Sequence, residues 1–469
     1  MIKIALPAGD LRIPVASALN SAGLSVDGYG EGVRAYRLAV TGSDDINVRV
    51  FRERDIPIQV ALGNYDVGIC NLIWVKEMGI RFPQQPIVPL SNLGIGMGTL
   101  FAAADGSRIR ALQDLSDLRV VRIASEFPNL AEKFAAAARF PMYRVQAIWG
   151  SAEGYPPEDA DVVVVVAEGA EKLEALGLTP LHSILDAGAW LIANELSLGN
   201  KPLNSVLQPL LSGRLSSSSD GLRFPRPLAD RPLQRPAKRT RRTLRLAIPD
   251  GHQQRHVVQA LEVADLHFGG YDDSQCVRRP STDIEGLEVK VVRPHDMPQL
   301  VALGQIDLAI TGRDCLMEHL YRFPASPVKE LVDLQRGQYN LCAVVTEDLN
   351  AETIEDGLLH WRGEGKQYVR VASEFPGTAD HYARSRHIWR YRIIPIAGAS
   401  EGFVPEDAEL LIEGTETGTT LRENRLKPID LLYRSTTCLI GHREPDLAGR
   451  RAEVYAQVMT ALKSAAESP

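Results

Sequence analysis

At 469 residues the chain is about three times the ~150 residues of a typical domain, so it has room for two to four domains and excludes a single small module. Apolar residues at 45% and charged residues at 24% exclude a wholly disordered or collagen-like chain. A net charge of -7 offers no global basic field for nucleic acid. The longest apolar run, Val162–Ala167, falls far short of the ~20 residues of a membrane helix. Met1–Pro7 lacks the basic region and apolar stretch of a secretory signal, which makes the cytoplasm the expected compartment. Five cysteines without short pairwise spacing support neither a disulfide framework nor a zinc site, and are expected to be buried thiols.

In chain order, short apolar runs at Lys3–Leu6, Val48–Phe51, Val67–Ile69, Val120–Ala124 and Val162–Val166 predict buried strands, and Asn129–Phe140 predicts a helix. The alternation predicts an α/β fold. From residue 212 to 242 the chain carries four prolines, the run Ser216–Ser219, and nine basic against two acidic residues. That composition predicts a tether rather than a nucleic-acid tail. Beyond it the first segment is written again. Leu6-Pro-Ala-Gly-Asp10 returns as Ile248-Pro-Asp-Gly-His252 at an offset of 242, and Asp55-Ile-Pro57 returns as Asp296-Met-Pro298 at 241. Ala124-Ser-Glu-Phe-Pro128 returns as Ala372-Ser-Glu-Phe-Pro376 at 248. The drift predicts a net insertion in loops near residues 346 to 368. The domains are therefore a first copy at 1–211, the linker at 212–242 and a second copy at 243–469. At the chain's end Tyr455, Val458, Met459 and Leu462 predict a helix with an apolar stripe.

The segment Glu409–Arg422 holds an apolar strand, then a turn rich in Gly and Thr, then a helix beginning near Leu421. Unpaired amides at a helix start, with Thr hydroxyls beside them, suit a phosphate. Gly418 can adopt the positive φ that turns successive amides inward. Glu413, at the strand's end, is placed to accept hydrogen bonds from vicinal sugar hydroxyls, so a phosphorylated ribose fits both halves. A plainly capped helix start is the competing reading. His252 and His256 are four residues apart, but without a third ligand they make no metal site.

In this context the chain resembles the ATP phosphoribosyltransferase family in its short catalytic form, present in tandem. The resemblance is carried by the loop just described, Ile4-Ala-Leu-Pro7, Arg293-Pro-His-Asp-Met-Pro298, Asp307–Asp314, Arg370–Pro376 and Gly398-Ala-Ser-Glu401. It implies two copies of a type II periplasmic-binding-protein-like fold, each of two α/β lobes around a cleft. The expected lobes are 1–97 with 182–211 and 98–181, then 243–343 with 430–469 and 344–429. It also implies condensation of ATP with phosphoribosyl diphosphate, the first step of histidine biosynthesis, with Mg²⁺ carried by the substrates. Glu413 and Arg293 would be catalytic. Glu413, Gly414, Thr415, Glu416, Thr417, Gly418, Thr419 and Thr420 would hold phosphoribosyl diphosphate, and Arg293, Thr311, Gly312, Arg313 and Asp314 would line the side of ATP or diphosphate. Family members pair as dimers with sites near the subunit interface, so a homo-oligomer is expected and a regulatory subunit is compatible.

The copies differ at these positions. Where the second has Glu413, Thr417, Gly418 and Thr420, the first has Val165, Gly169, Ala170 and Lys172; where the second has Thr311, Gly312 and Asp314, the first has Cys70, Asn71 and Ile73. The first copy is therefore expected to be non-catalytic; because it keeps Arg52, which aligns with Arg293, and Gly150-Ser-Ala-Glu153, a supporting role that braces or completes the second copy is expected. The second copy also departs from the family. Asp250-Gly-His252 stands where Lys-Gly-Arg is usual, and Glu374 stands where a lysine is usual. Those lost cations motivate an alternative, a catalytically inactive sensor of a phosphoribosyl compound.

Overall fold

The computed structural model describes residues 1–30, 37–140, 142–211, 221–226, 228, 242–416 and 418–467. Strand Ile2–Pro7 pairs in parallel with Ser43–Phe51 on one side and Val67–Asn71 on the other. Buried on both faces, such strands are near-continuous apolar runs, which is what made them legible. The chain leaves this first lobe after Ile87–Asn92 and builds a five-stranded sheet from Gly98–Asp105, Val121–Ser125, Tyr143–Ala147, Val162–Ala167 and Leu178–Ala187. It returns as Ala189–Asn194, antiparallel between Val67–Asn71 and Ile87–Asn92. Two crossings, between residues 92 and 98 and between 187 and 189, thus join two α/β lobes.

The second copy repeats the plan. Leu244–Pro249 pairs in parallel with Leu287–Val292 and Leu308–Gly312, and Thr437–His442 returns between Leu308–Gly312 and Val328–Asp333. Its second lobe orders Tyr391–Pro395, Val369–Ser373, Leu410–Thr415, Tyr339–Thr346 and Leu426–Ser435 side by side. The closing helix Arg450–Glu467 buries Val454, Val458, Leu462 and Ala465, with Tyr455 and Met459 packed partly against the same core.

Three expectations change. The antiparallel strands Leu178–Ala187, Tyr339–Thr346 and Leu426–Ser435 run unbroken to the hinges. Residues 182–187, 339–343 and 430–435 therefore belong to the second lobes. The insertion near residues 346 to 368 is helical: Ile354–Gly363 starts at a capping box in which Thr353 and Asp356 exchange hydrogen bonds. The linker is not wholly a tether. Leu222, Phe224 and Leu228 pack on the first copy's core, Arg223 donates its amide to the Ile184 carbonyl at 2.7 Å, and its guanidinium pairs with Asp186 at 2.6 Å.

The copies share their cores. The first lobe of copy one meets the second lobe of copy two: Phe51, Ile56 and Tyr65 lie in one cluster with Val344, Phe403 and Leu411. Reciprocally, Tyr155 and Val163 cluster with Met297, Leu300 and Ala309. Polar contacts repeat about a pseudo-twofold axis. Trp149 donates its amide to Asp296 at 3.1 Å, and Ala397, its counterpart, donates to Asp55 at 3.0 Å. Phe51 is fully buried, with edge contacts to Tyr65 at 5.1 Å and to Phe403, across the copies, at 4.9 Å. Phe51→Ala should therefore cost about 3–5 kcal/mol, measured by urea unfolding; a loss under about 1 kcal/mol would contradict a shared core.

Candidate active site

Ligand groups in open α/β sheets gather at the carboxyl ends of parallel strands, and this chain places its polar residues there. Strand Leu410–Thr415 ends in Glu413, Gly414 and Thr415, while Glu374 follows Val369–Ser373. In the second copy these residues line a cavity of about 680 Å³ between the lobes, with Glu416, Gly418, Thr419, Thr420, Gly312 and Asp314. Gly418 has φ +72° and caps the helix Thr419–Glu423, as its role in the turn requires. Its amide donates to Thr415 Oγ1 at 2.9 Å. Thr417 lies outside the described residues.

Glu413 accepts a short hydrogen bond from Ser400 Oγ, and its Oε1 accepts from the Gly414 amide at 3.0 Å. Burial, reinforced by the neighbouring carboxylates Glu374 and Glu401, pushes it up to about 8. Glu374 and Glu401 are raised too, each mainly by burial. With Asp314 and Glu416 that makes five carboxyl groups lining one cleft, which favour whatever brings hydroxyl donors or positive charge.

Part of that charge comes from the first copy. Arg52 lines this cavity; a Cβ on Gly398, whose φ is +116°, would stand 2.8 Å from both Arg52 Nε and Glu374 Oε1. Only glycine lets the guanidinium pass so close to the backbone. Arg293 has the mirror placement: it crosses into the first copy's cleft, where a Cβ on Gly150 would lie 3.0 Å from its Nε. There it lines a cavity of about 800 Å³ with Glu126, Trp149 and Val165, and its Nη1 pairs with Asp250 at 3.2 Å. Arg293 is thus not beside Glu413, because the copies pack about the pseudo-twofold axis, first lobe against second, and exchange these arginines.

Two further expected residues stand away from the cavity. Arg313 is held by Glu330 and Asp333, each at 2.8 Å. Thr311 is buried and donates its hydroxyl to the Pro294 carbonyl at 3.0 Å. Asp314 does line the cavity and accepts from Ser435 Oγ at 2.8 Å. Sequence reasoning missed Ser400 and His295, which line the same cavity, and assigned Arg52 only a general support. The first cleft carries aromatic bulk beside its arginines: Trp74 packs 4.5 Å from Phe127, and the Arg54 guanidinium lies over Trp74 and Trp149.

A two-lobed α/β protein with a Gly/Thr turn and a carboxylate at one strand end is thereby defined, in duplicate and with one copy altered. The sequence profile of the family described as "HisG: ATP phosphoribosyltransferase" matches residues 52–213 and 293–464. The chain belongs to the ATP phosphoribosyltransferase family. An ATP phosphoribosyltransferase of Sulfurisphaera tokodaii is 30% identical over 203 residues, 43% of this chain and 65% of that protein. One of Rubrobacter xylanophilus is 33% identical over 210 residues, 43% of this chain and 88% of that protein. Among solved structures, the ATP phosphoribosyl transferase (HisG:HisZ) complex from Thermotoga maritima aligns at 21% identity with a TM-score of 0.37, over 45% of this chain and 96% of that chain. Among the described residues no helix is long and apolar enough to cross a membrane, and no group of three or more His, Cys, Asp or Glu is arranged to hold a metal ion.

Proposed function

We propose that the second copy condenses ATP with phosphoribosyl diphosphate to phosphoribosyl-ATP and diphosphate, as a cytoplasmic step of histidine biosynthesis, and that the first copy is not itself catalytic. The observation that carries the reading is the meeting, in one cleft, of Glu413, the turn residues 414–416 and 418–420, and an arginine from the other copy. The turn receives the 5'-phosphate, and Glu413 accepts hydrogen bonds from the ribose hydroxyls, which favours its ionised form. Diphosphate leaves C1 with its electron pair as purine N1 approaches, and the protein's task is to orient the partners and stabilise developing charge. Arg52 faces the departing diphosphate, whose Mg²⁺ arrives with the substrate. Self-association and a regulatory subunit belong to the same proposal, supported by family membership.

In the first copy Val165 removes the hydroxyl acceptor, Gly169 and Lys172 stand in place of two threonine hydroxyls, and Ala170 replaces the glycine of the turn, so the same chemistry has no purchase there. The test is to mix the protein with ATP, phosphoribosyl diphosphate and Mg²⁺ and follow the ultraviolet absorbance of the product. Turnover that Val165→Ala leaves intact is expected. Binding of phosphoribosyl diphosphate without turnover would instead favour a sensor, a reading motivated by Asp250, His252 and Glu374 standing where the family carries basic residues.

A further inference from the structure

Where the two clefts back onto each other, three rings stack. The indole of Trp149, from the first copy, lies 4.7 Å from the imidazole of His295 at an interplanar angle of 23°. His295 in turn stacks on Phe375 at 5.4 Å and 21°. His295 sits on the single turn Pro294–Asp296 of the second copy's first lobe, and Phe375 precedes the helix Pro376–Ser385 of its second lobe. Trp149 is fixed by its backbone bond to Asp296. His295 lines the catalytic cavity, and its Nε2 is buried without a hydrogen-bond partner. A buried ring nitrogen with nothing to bind calls for a ligand group.

Burial lowers the basicity of His295, and Arg293 beside it acts in the same sense, while Asp314 on the helix Arg313–Arg322 opposes them. Asp296 adjoins it in the same turn, Arg54 lies beyond Trp149, and Glu374 and Arg52 line the same cavity. The ring is therefore neutral near pH 7, and a neutral imidazole carries one acceptor nitrogen.

We propose that His295 is a catalytic residue of the second copy, its Nε2 taking a proton from the purine's exocyclic amino group, and that Trp149 of the first copy is its positioning residue. This rests on the activity proposed above. As N1 bonds to ribose C1 and the C1–O bond to diphosphate breaks, the purine becomes cationic. Transfer of one amino proton to Nε2 leaves a neutral purine and an imidazolium, which then releases the proton to solvent. The pseudo-twofold counterparts fit this assignment. Arg54 stands at the position of His295 and can only donate, and Ala397 stands at that of Trp149.

The experiment compares kcat and KM across pH for the whole protein and three variants. His295→Gln keeps a polar side chain but cannot take the proton, so kcat should fall about 10²-fold and the acid-side decline of the wild type should vanish. KM for phosphoribosyl diphosphate should stay within about threefold, and calorimetric binding of that substrate confirms an intact cleft. Trp149→Ala should lower kcat about tenfold and move the acid limb, and Trp149→Phe should restore both. His295→Gln with wild-type kcat and an unchanged pH profile overturns the proposal while leaving the activity standing. A wild-type protein that binds but forms no product overturns the activity, and this role with it.

Discussion

Arg52→Ala is expected to lower turnover by about 10²–10³-fold, although the residue belongs to the copy that lacks the reactive turn. Its guanidinium lines the second cleft beside Glu374, and no other arginine lines that cavity among the described residues. On the proposed function, removing it leaves the five carboxyl groups of the cleft facing an anionic leaving group. The effect should fall on kcat, with stability nearly unchanged, because one end of the side chain faces open cleft. Arg293→Ala is the control: its side chain enters the first cleft, so kcat should stay within about threefold. Equal losses in the two variants would show that the arginines are not exchanged between copies.

Glu413→Gln should separate activity from stability. On the proposed role of Glu413, turnover is expected to drop about 10²-fold, because an amide would grip the ribose hydroxyls without the carboxylate's charge. Stability should move the other way at alkaline pH. The folded protein holds the Glu413 proton up to about 8, whereas an unfolded chain releases it in the ordinary carboxylate range. The stabilisation is full below the unfolded value and is lost as pH rises through the folded one. Asp55 and Asp296, each raised to about 7 by burial, tilt the profile in the same direction. Thermal unfolding should therefore show a wild-type Tm that falls between about pH 5 and pH 8, with a shallower fall in the variant. A variant less stable than wild type at the alkaline end would contradict a protonated Glu413.

Much of this was legible without coordinates because it is local. Short apolar runs mark buried strands, and Gly418 takes the positive φ its turn demanded. The contrast between Glu413 and Val165 is visible in two aligned strands. The helix Ile354–Gly363 could have been found too, since Thr353 and Asp356 have capping-box spacing. What the sequence could not assign was the side each arginine serves. Arg52 and Arg293 align, but which cleft each enters depends on how two whole copies dock, and no residue spacing encodes that. His295 escaped notice for a similar reason: it lies inside a quoted motif, yet its surroundings come from Trp149, far away in the chain and on the other copy.

The crossing of Arg52 and Arg293 has a bearing on how such a chain can change over generations. In a dimer of identical subunits every substitution strikes both clefts at once, so loss of the ribose-gripping acid would silence the whole assembly. Joined end to end, the halves are released from that constraint. On the proposed function one can surrender its own pocket, with Val165 standing where the acid was, and still be kept by selection for the guanidinium and the indole it lends its neighbour.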